Sequence, residues 1–296
     1  MTTPIALSSR ARPGGPLALW HDAGLLERAA FILGLLLLAA ALFAPHIAPF
    51  DPNAQSLLAR LRPPAGLDRA VPGYWLGTDE LGRDILSRAL HALRLTIGLA
   101  LAGATLGMLL GLTLGLIAGL VGGVVDDLIS GLIDIQIAVP FTLIALLAVA
   151  LFGGDLIVLV LVLGIAGWET FGRVVRGEVI KLRDQPFIEA ARAAGASPWR
   201  LAVRHLLPNL VSPLVVMFAL SFATIVLLES TLSFLGLGVR PPTATLGSMV
   251  GHGRAYMPNA PWLVITPALL ILLVTLVVQI LGDFLRDRAD VRLRDR

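Results

Sequence analysis

Apolar residues come along this chain in long unbroken blocks, not at the two-residue or 3.6-residue spacing of a half-buried surface. With histidine counted as neutral, uncharged runs occupy 29–50, 95–125, 135–154, 205–228 and 255–282. Each reaches or exceeds the ~20 residues that an α-helix needs to cross a hydrocarbon core. A sixth block, 154–173, has Asp155 and Glu169 near its ends. The pattern predicts an all-α membrane protein with six transmembrane helices. Only 15% of the residues are charged, against about a quarter in soluble domains. The first block follows Arg28 and superficially fits a secretory signal. Its uncharged run is longer than a usual signal core and a long arm precedes it, so an uncleaved helix is the expectation.

The blocks divide the chain. Residues 1–28 form an arm with no sustained period, 29–50 the first transmembrane helix, and 51–92 an extracytoplasmic segment rich in proline. Residues 93–285 form a core of five further spans, and 286–296 a tail. The stretch YWLGTDELGRDILSRALHALRL before the second span reads as helical, with Asp79–Arg83 and Asp84–Arg88 as i,i+4 pairs, acid first. Basic residues concentrate at 173–204, in the tail and in the arm (Arg10, Arg12 and Arg28). With both termini cytoplasmic, six spans put all three segments inside, as the positive-inside rule favours. The 51–92 segment then lies outside with Arg60, Arg62, Arg69, Arg83 and Arg88, balanced by neighbouring acids.

Within the second span Gly103, Gly107, Gly111, Gly115 and Gly119 recur every four residues. On a helix they make a ridge almost without side chains, which another helix can approach closely. Glycine is common in membrane helices in any case, but five in register favour a packing seam. Its partner helix is not legible.

Between the fourth and fifth spans lies a charged, helix-prone hairpin, 186–208. Phe187–Ala194 is rich in alanine and meets Gly195, a natural left-handed stop. Ser197 can cap a second helix with Pro198 at its first position. There Trp199, Ala202, Val203 and Leu206 share a face opposite Arg200 and Arg204, and Pro208 marks the start of the fifth span. Three readings stand: a linker lying at the lipid headgroups, a DNA-reading helix-turn-helix, and a docking element. Tethering between two spans disfavours nucleic acid. Small Ala190 and Ala191 beside Glu189 would let a partner approach the backbone and find a polar anchor.

The stretch EAARAAGASPWRLAVRHLLPN resembles the signature of permease subunits of binding-protein-dependent ABC importers. Glu189, Ala190, Ala191, Gly195, Leu207 and Pro208 occupy the signature places, and His205 stands where the broader signature prefers isoleucine. LGTDELGRDILSR, ESTLSFLGLGVRPPTATLGSMV and APWLVITPALLILLVTLVVQILGDFLRDRAD resemble the dipeptide, oligopeptide and nickel branch, in the second of its two permease types. The resemblance implies the type I importer permease fold in a bacterial inner membrane. It implies half of a pathway for di- or oligopeptides, paired with a homologous second permease, two ABC ATPase subunits and an extracytoplasmic substrate-binding protein. The contact with the ATPase would run from Glu189 through Arg192 to Gly195, the short helix seated in a groove of that subunit. Nickel chelates, opines or glutathione are alternative solutes.

Other chemistry is constrained. The chain has no cysteine, hence no disulfide or thiolate metal site. Its sole lysine, Lys181 in EVIKLR, cannot complete a P-loop, so no cofactor is expected on this chain, and ATP and Mg would belong to partner subunits. His21, His46, His91, His205 and His252 show no metal-ligand spacing. Asp126, Asp127 and Asp134 are expected at headgroup level, whereas Glu229, towards the outer end of the fifth span, is a candidate to meet a peptide amine in a polar cavity. An ion-coupled secondary transporter would show repeated halves and midplane acids, and an intramembrane hydrolase a catalytic motif; neither pattern is present.

Overall fold

A computed structural model describes residues 23–294, with side chains to residue 288. Most of the arm at 1–28 and the end of the tail at 286–296, with the basic residues they carry, lie outside that range. Among the described residues all regular structure is helical, apart from one isolated bridge between Thr78 and Asp84.

Helix α1, Leu25–Leu42, starts before the uncharged run and stops short of its end. Pro45 lacks the N–H that would carry the helix on, and the chain re-forms as a single turn, α2, Ala44–Ile47. The following segment is organised around Asp79. Its Oδ1 accepts the backbone N–H groups of Leu81 and Arg83, both at 2.9 Å. Its Oδ2 accepts Arg83 Nε at 2.6 Å and faces Arg88 Nε at 3.5 Å. The Asp79–Arg83 pair thus closes a turn and not a helix. Asp84 is the N-cap of α3, Ile85–Val121, accepting from Ser87 N at 2.8 Å. The expected Asp84–Arg88 pair is therefore absent: capping engages the acid, and Arg88 turns to Asp79 and to the Pro52 carbonyl at 3.1 Å.

The third span is bent. Helices α4, Gly123–Ala138, and α5, Phe141–Phe152, meet at 87°. Pro140 forces Val139 into extended backbone, φ −99° and ψ 129°, because a residue before proline is excluded from the helical region. The fourth span comprises α6, Leu156–Ile165, and α7, Trp168–Arg183. It runs well past the block 154–173 as a polar helix ending at Arg183, and Glu169 within it has a partner inside the protein: Gln136 Nε2 donates to its Oε2 at 2.9 Å. Then come α8, Pro186–Ala193, and α9, Pro198–Leu201, which passes through a π-turn at Ala202–Leu206 into α10, Leu207–Phe234. Helix α11, Leu246–Gly253, opens on a capping box of Thr245 and Ser248, and α12, Trp262–Arg294, runs without a break into the expected tail. Five helical stretches are long and apolar enough to cross a membrane, and the bent pair α4–α5 makes up to six.

Helix α3 is the central post, packed against α6, α7, α10 and α1, while α12 closes over α10, α11 and α1. The glycine register explains the tightest of these contacts. A Cβ at Gly103 would stand 2.7 Å from Leu163 Cβ, at Gly107 2.9 Å from the Gly164 carbonyl, and at Gly115 2.7 Å from the Gly172 carbonyl. At Gly119 it would meet Val179 at 2.6 Å, and at Gly111 it would strike Phe171 and the Trp168 carbonyl. The partner of the glycine face is thus the fourth span of the same chain. Where lipid is as apolar as leucine, such backbone-to-backbone approach is a main source of helix association.

Candidate functional site

The hairpin between the fourth and fifth spans is built to be stiff. Pro186 opens α8, and Gly195 ends it with φ +79°. Two hydrogen bonds close the stop, Ala196 N to Ala191 O at 3.0 Å and Gly195 N to Arg192 O at 2.9 Å. These are the paired bonds of a Schellman motif, which uses up carbonyls that a helix end would otherwise leave bare. Ser197 then caps α9 through Arg200 N at 3.4 Å, with Pro198 at the first helical position.

Side chains fasten the hairpin to the spans. Ile188, Leu201 and Leu206 are buried in one cluster with Phe171, Val175 and Val179 of α7 and Leu210 of α10. The opposite surface is open: Glu189, Ala190, Arg192 and Gly195 are exposed, while Ala191 is half-buried. Leu207 is half-buried and Pro208 exposed where α10 begins. Two aromatic rings join the open surface, Phe187 at 45% exposure and Trp199 at 78%.

That last placement corrects the expected face. Trp199 and Val203 do not pack with Ala202 and Leu206; they turn outward, and Leu201 takes the inner position. The cause is Pro208. Proline cannot donate to a carbonyl one turn back and its ring crowds that carbonyl. Widening the turn to a π-turn relieves this, and it shifts the register of the residues before it. For the same reason Pro208 does not separate the hairpin from the fifth span: Pro198–Phe234 is one helical rod.

The hairpin side of the third and fourth spans carries a polar seam that sequence reasoning missed. Arg176 grips Asp126 with both Nε and Nη2, the latter at 2.7 Å, and Arg173 Nη2 reaches Asp134 Oδ1 at 2.7 Å. Trp168 Nε1 donates to Gln136 Oε1 at 2.6 Å. Asp126 and Asp134 are thus ion-paired to α7, and Asp127 is exposed. The available signal was the match of two acids on one segment with two arginines on another, at helix-compatible spacing.

Glu229 lies near the end of the fifth span, but enclosed where a polar cavity was expected. It is fully buried in α10, where Ser233 Oγ donates to its Oε1 at 2.6 Å. The hydroxyls of Thr96, Ser230 and Thr245 gather around the carboxyl group, and Leu246 N donates to Thr96 Oγ1 at 3.1 Å. The group joins α10 to α3 and to the start of α11, and it lines neither the cavity around Arg94 nor the one around Glu80. Among the described residues, no group of three or more His, Asp or Glu side chains could hold a metal ion.

Comparison with known proteins matches this architecture. Residues 111–291 match the family described as the binding-protein-dependent transport system inner membrane component. Residues 28–64 match the N-terminal transmembrane domain of oligopeptide transport permease C. The chain is 39% identical to the di/tripeptide transport system permease protein DppC of Pseudomonas aeruginosa, over 93% of this chain and 90% of that one. It is 37% identical to the dipeptide transport system permease protein DppC of Haemophilus influenzae, over 89% of each chain. Identity is 38% to the glutathione transport system permease protein GsiD of Pectobacterium atrosepticum, over 90% of this chain and 87% of that one. A chain from inward-facing structures of the MetNI methionine ABC transporter shares the fold, with a TM-score of 0.53 at 20% identity, over 68% of this chain and 95% of that chain.

Proposed function

Because the chain belongs to the family of binding-protein-dependent transport system inner membrane components, we propose that it is one permease of an ATP-driven peptide importer. It forms half of a pathway across a bacterial inner membrane for di- or oligopeptides delivered by an extracytoplasmic binding protein. A homologous permease supplies the other half, and two ABC ATPases bind and hydrolyse ATP on the cytoplasmic side. The chain itself carries out no chemistry.

The observation that carries this reading is the hairpin. A docking element must be stiff, fastened to the spans it moves, and open on its far side. The Schellman-stopped α8 is stiff, Ile188 and Leu206 fasten it, and Glu189, Arg192, Phe187 and Trp199 are left open. Because α9 runs into α10 without a break, a push on the hairpin acts directly on the fifth span. Basic residues at 173–204 support placing this end in the cytoplasm, with both termini.

Glutathione is the second substrate reading, supported by the identity to the GsiD relative; it is itself a tripeptide, so the same pathway chemistry serves. The test is gentle purification of the tagged chain from native membranes, with mass spectrometry of what accompanies it. Two ATPase chains and a second permease are expected, and peptide import in proteoliposomes with the captured binding protein. A chain that purifies alone and moves solute down an ion gradient would overturn the reading.

A further inference from the structure

At the end of α3 farthest from the hairpin there is a cavity of about 320 Å³, the size at which small-molecule sites begin. Arg88, His91, Arg94 and Gly98 of α3 line it, facing Asn53 and Thr243 from two loops. The α3 residues sit at helical spacing, so they share one side of the helix. No acidic side chain lines the cavity. Asp79 is ion-paired with Arg83 and Arg88, and Asp51, which does not line the cavity, accepts the Asn53 N–H at 2.7 Å.

The cations differ in what they have left to give. Arg88 is buried, with its guanidinium divided between Asp79 and the Pro52 carbonyl. Its donors are therefore already directed into the protein. His91 Nδ1 lies 2.9 Å from the Ser87 carbonyl, which fixes the ring. Arg94 is exposed and has no hydrogen bond or ion pair among the described residues. A planar guanidinium presents a fork of donors that matches a carboxylate or phosphate, and the Asn53 amide and Thr243 hydroxyl supply neutral donors across the cavity. The wall at Gly98 is open, since a Cβ there would meet nothing within 4 Å.

We infer that this cavity binds an oxyanion, with Arg94 as its principal ligand. The anion is either the carboxylate end of a solute entering from the outer side or the phosphate of an anionic lipid headgroup. The site stands on the local geometry and does not depend on which solute the transporter moves.

The test uses the assembled transporter in neutral detergent, at constant ionic strength, followed by thermal stability. One arm titrates sodium acetate, with glycinamide hydrochloride as the cationic control. The other titrates short-chain phosphatidylglycerol, with phosphatidylcholine as control. Saturable stabilisation by at least one anionic probe is expected, and at least tenfold weaker apparent affinity in Arg94→Gln and in Gly98→Leu, which fills the cavity from an open position. Stabilisation by acetate assigns a carboxylate, and by phosphatidylglycerol alone the lipid phosphate. Absence of an anion-specific response in the unaltered protein, or an unchanged response in both variants, would overturn the site. ATP hydrolysis stimulated by the binding protein, measured on the same samples, reports separately on the importer reading.

Discussion

Arg176 and Asp126 form a two-pronged ion pair between α7 and the first half of the bent third span, with Nη2 to Oδ2 at 2.7 Å and Nε on Oδ1. The pair is only partly shielded, with Arg176 34% and Asp126 16% exposed at the side chain. Its loss should therefore cost less than a fully buried pair and more than a surface one, about 1–2 kcal/mol. We expect Asp126→Asn and Arg176→Gln each to lower the melting temperature of the purified transporter. The double variant should be less destabilised than the two single effects added together. Strict additivity in that cycle would show that the two side chains do not act on each other.

The glycine seam makes a sharper claim, because the collision differs from position to position. An alanine at Gly111 places its Cβ onto Phe171 and the Trp168 carbonyl, which cannot move without shifting the fourth span. Overpacking of this kind costs about 1–3 kcal/mol. Gly131 and Gly177 have nothing within 4 Å of an added Cβ, so alanine there should be neutral or slightly stabilising. Fluorescence-detected size-exclusion after heating should show loss of the monodisperse peak in Gly111→Ala alone. Equal behaviour of all three variants would remove the seam from the account.

The spans and the glycine ridge were legible because lipid imposes one simple demand, that each crossing be long, apolar and hydrogen-bonded within itself. The hairpin's stop at Gly195 and cap at Ser197 were legible because both act through local backbone chemistry. What could not be read depended on partners distant in sequence. The 87° bend at Pro140 was not expected, because an uncharged run reads the same whether its helix is straight or broken. Glu169 looked like the end of a span until Gln136, from another helix, accommodated it. Trp199 was assigned to the wrong face because a regular 3.6-residue period was assumed across the π-turn that Pro208 produces.

Glu229 illustrates the same limit and gives a prediction opposite to the one its position suggested. Enclosed in α10 and hydrogen-bonded by Ser233, it sits beside the Leu246 N–Thr96 Oγ1 bond that ties the start of α11 to α3. Glutamine keeps a carbonyl oxygen to accept from Ser233, so Glu229→Gln should preserve both folding and transport. Glu229→Leu would leave the buried Ser233 hydroxyl without its acceptor, at a cost of about 1–3 kcal/mol. We expect reduced thermal stability in the leucine variant and unchanged import kinetics in the glutamine variant. A glutamine variant of normal stability that no longer transports would return this residue to the solute pathway.

Gly195 separates docking from folding. Its φ of +79° is accessible to asparagine at modest strain but costs a β-branched residue about 1–2 kcal/mol or more. That strain is local, because Ile188, Leu201 and Leu206 hold the hairpin independently of the turn. Gly195→Val should therefore insert and accumulate normally, while its α8 end is distorted where Glu189 and Arg192 face outward. If that surface meets the ATPase, stimulation of ATP hydrolysis by the binding protein should fall roughly tenfold, since about 1.4 kcal/mol of misfit is enough. Gly195→Asn, which preserves the backbone shape, should retain most of the stimulation. Full stimulation in the valine variant would mean that the hairpin end does not carry the coupling, and loss in the asparagine variant would point to side-chain bulk at the contact instead of backbone shape.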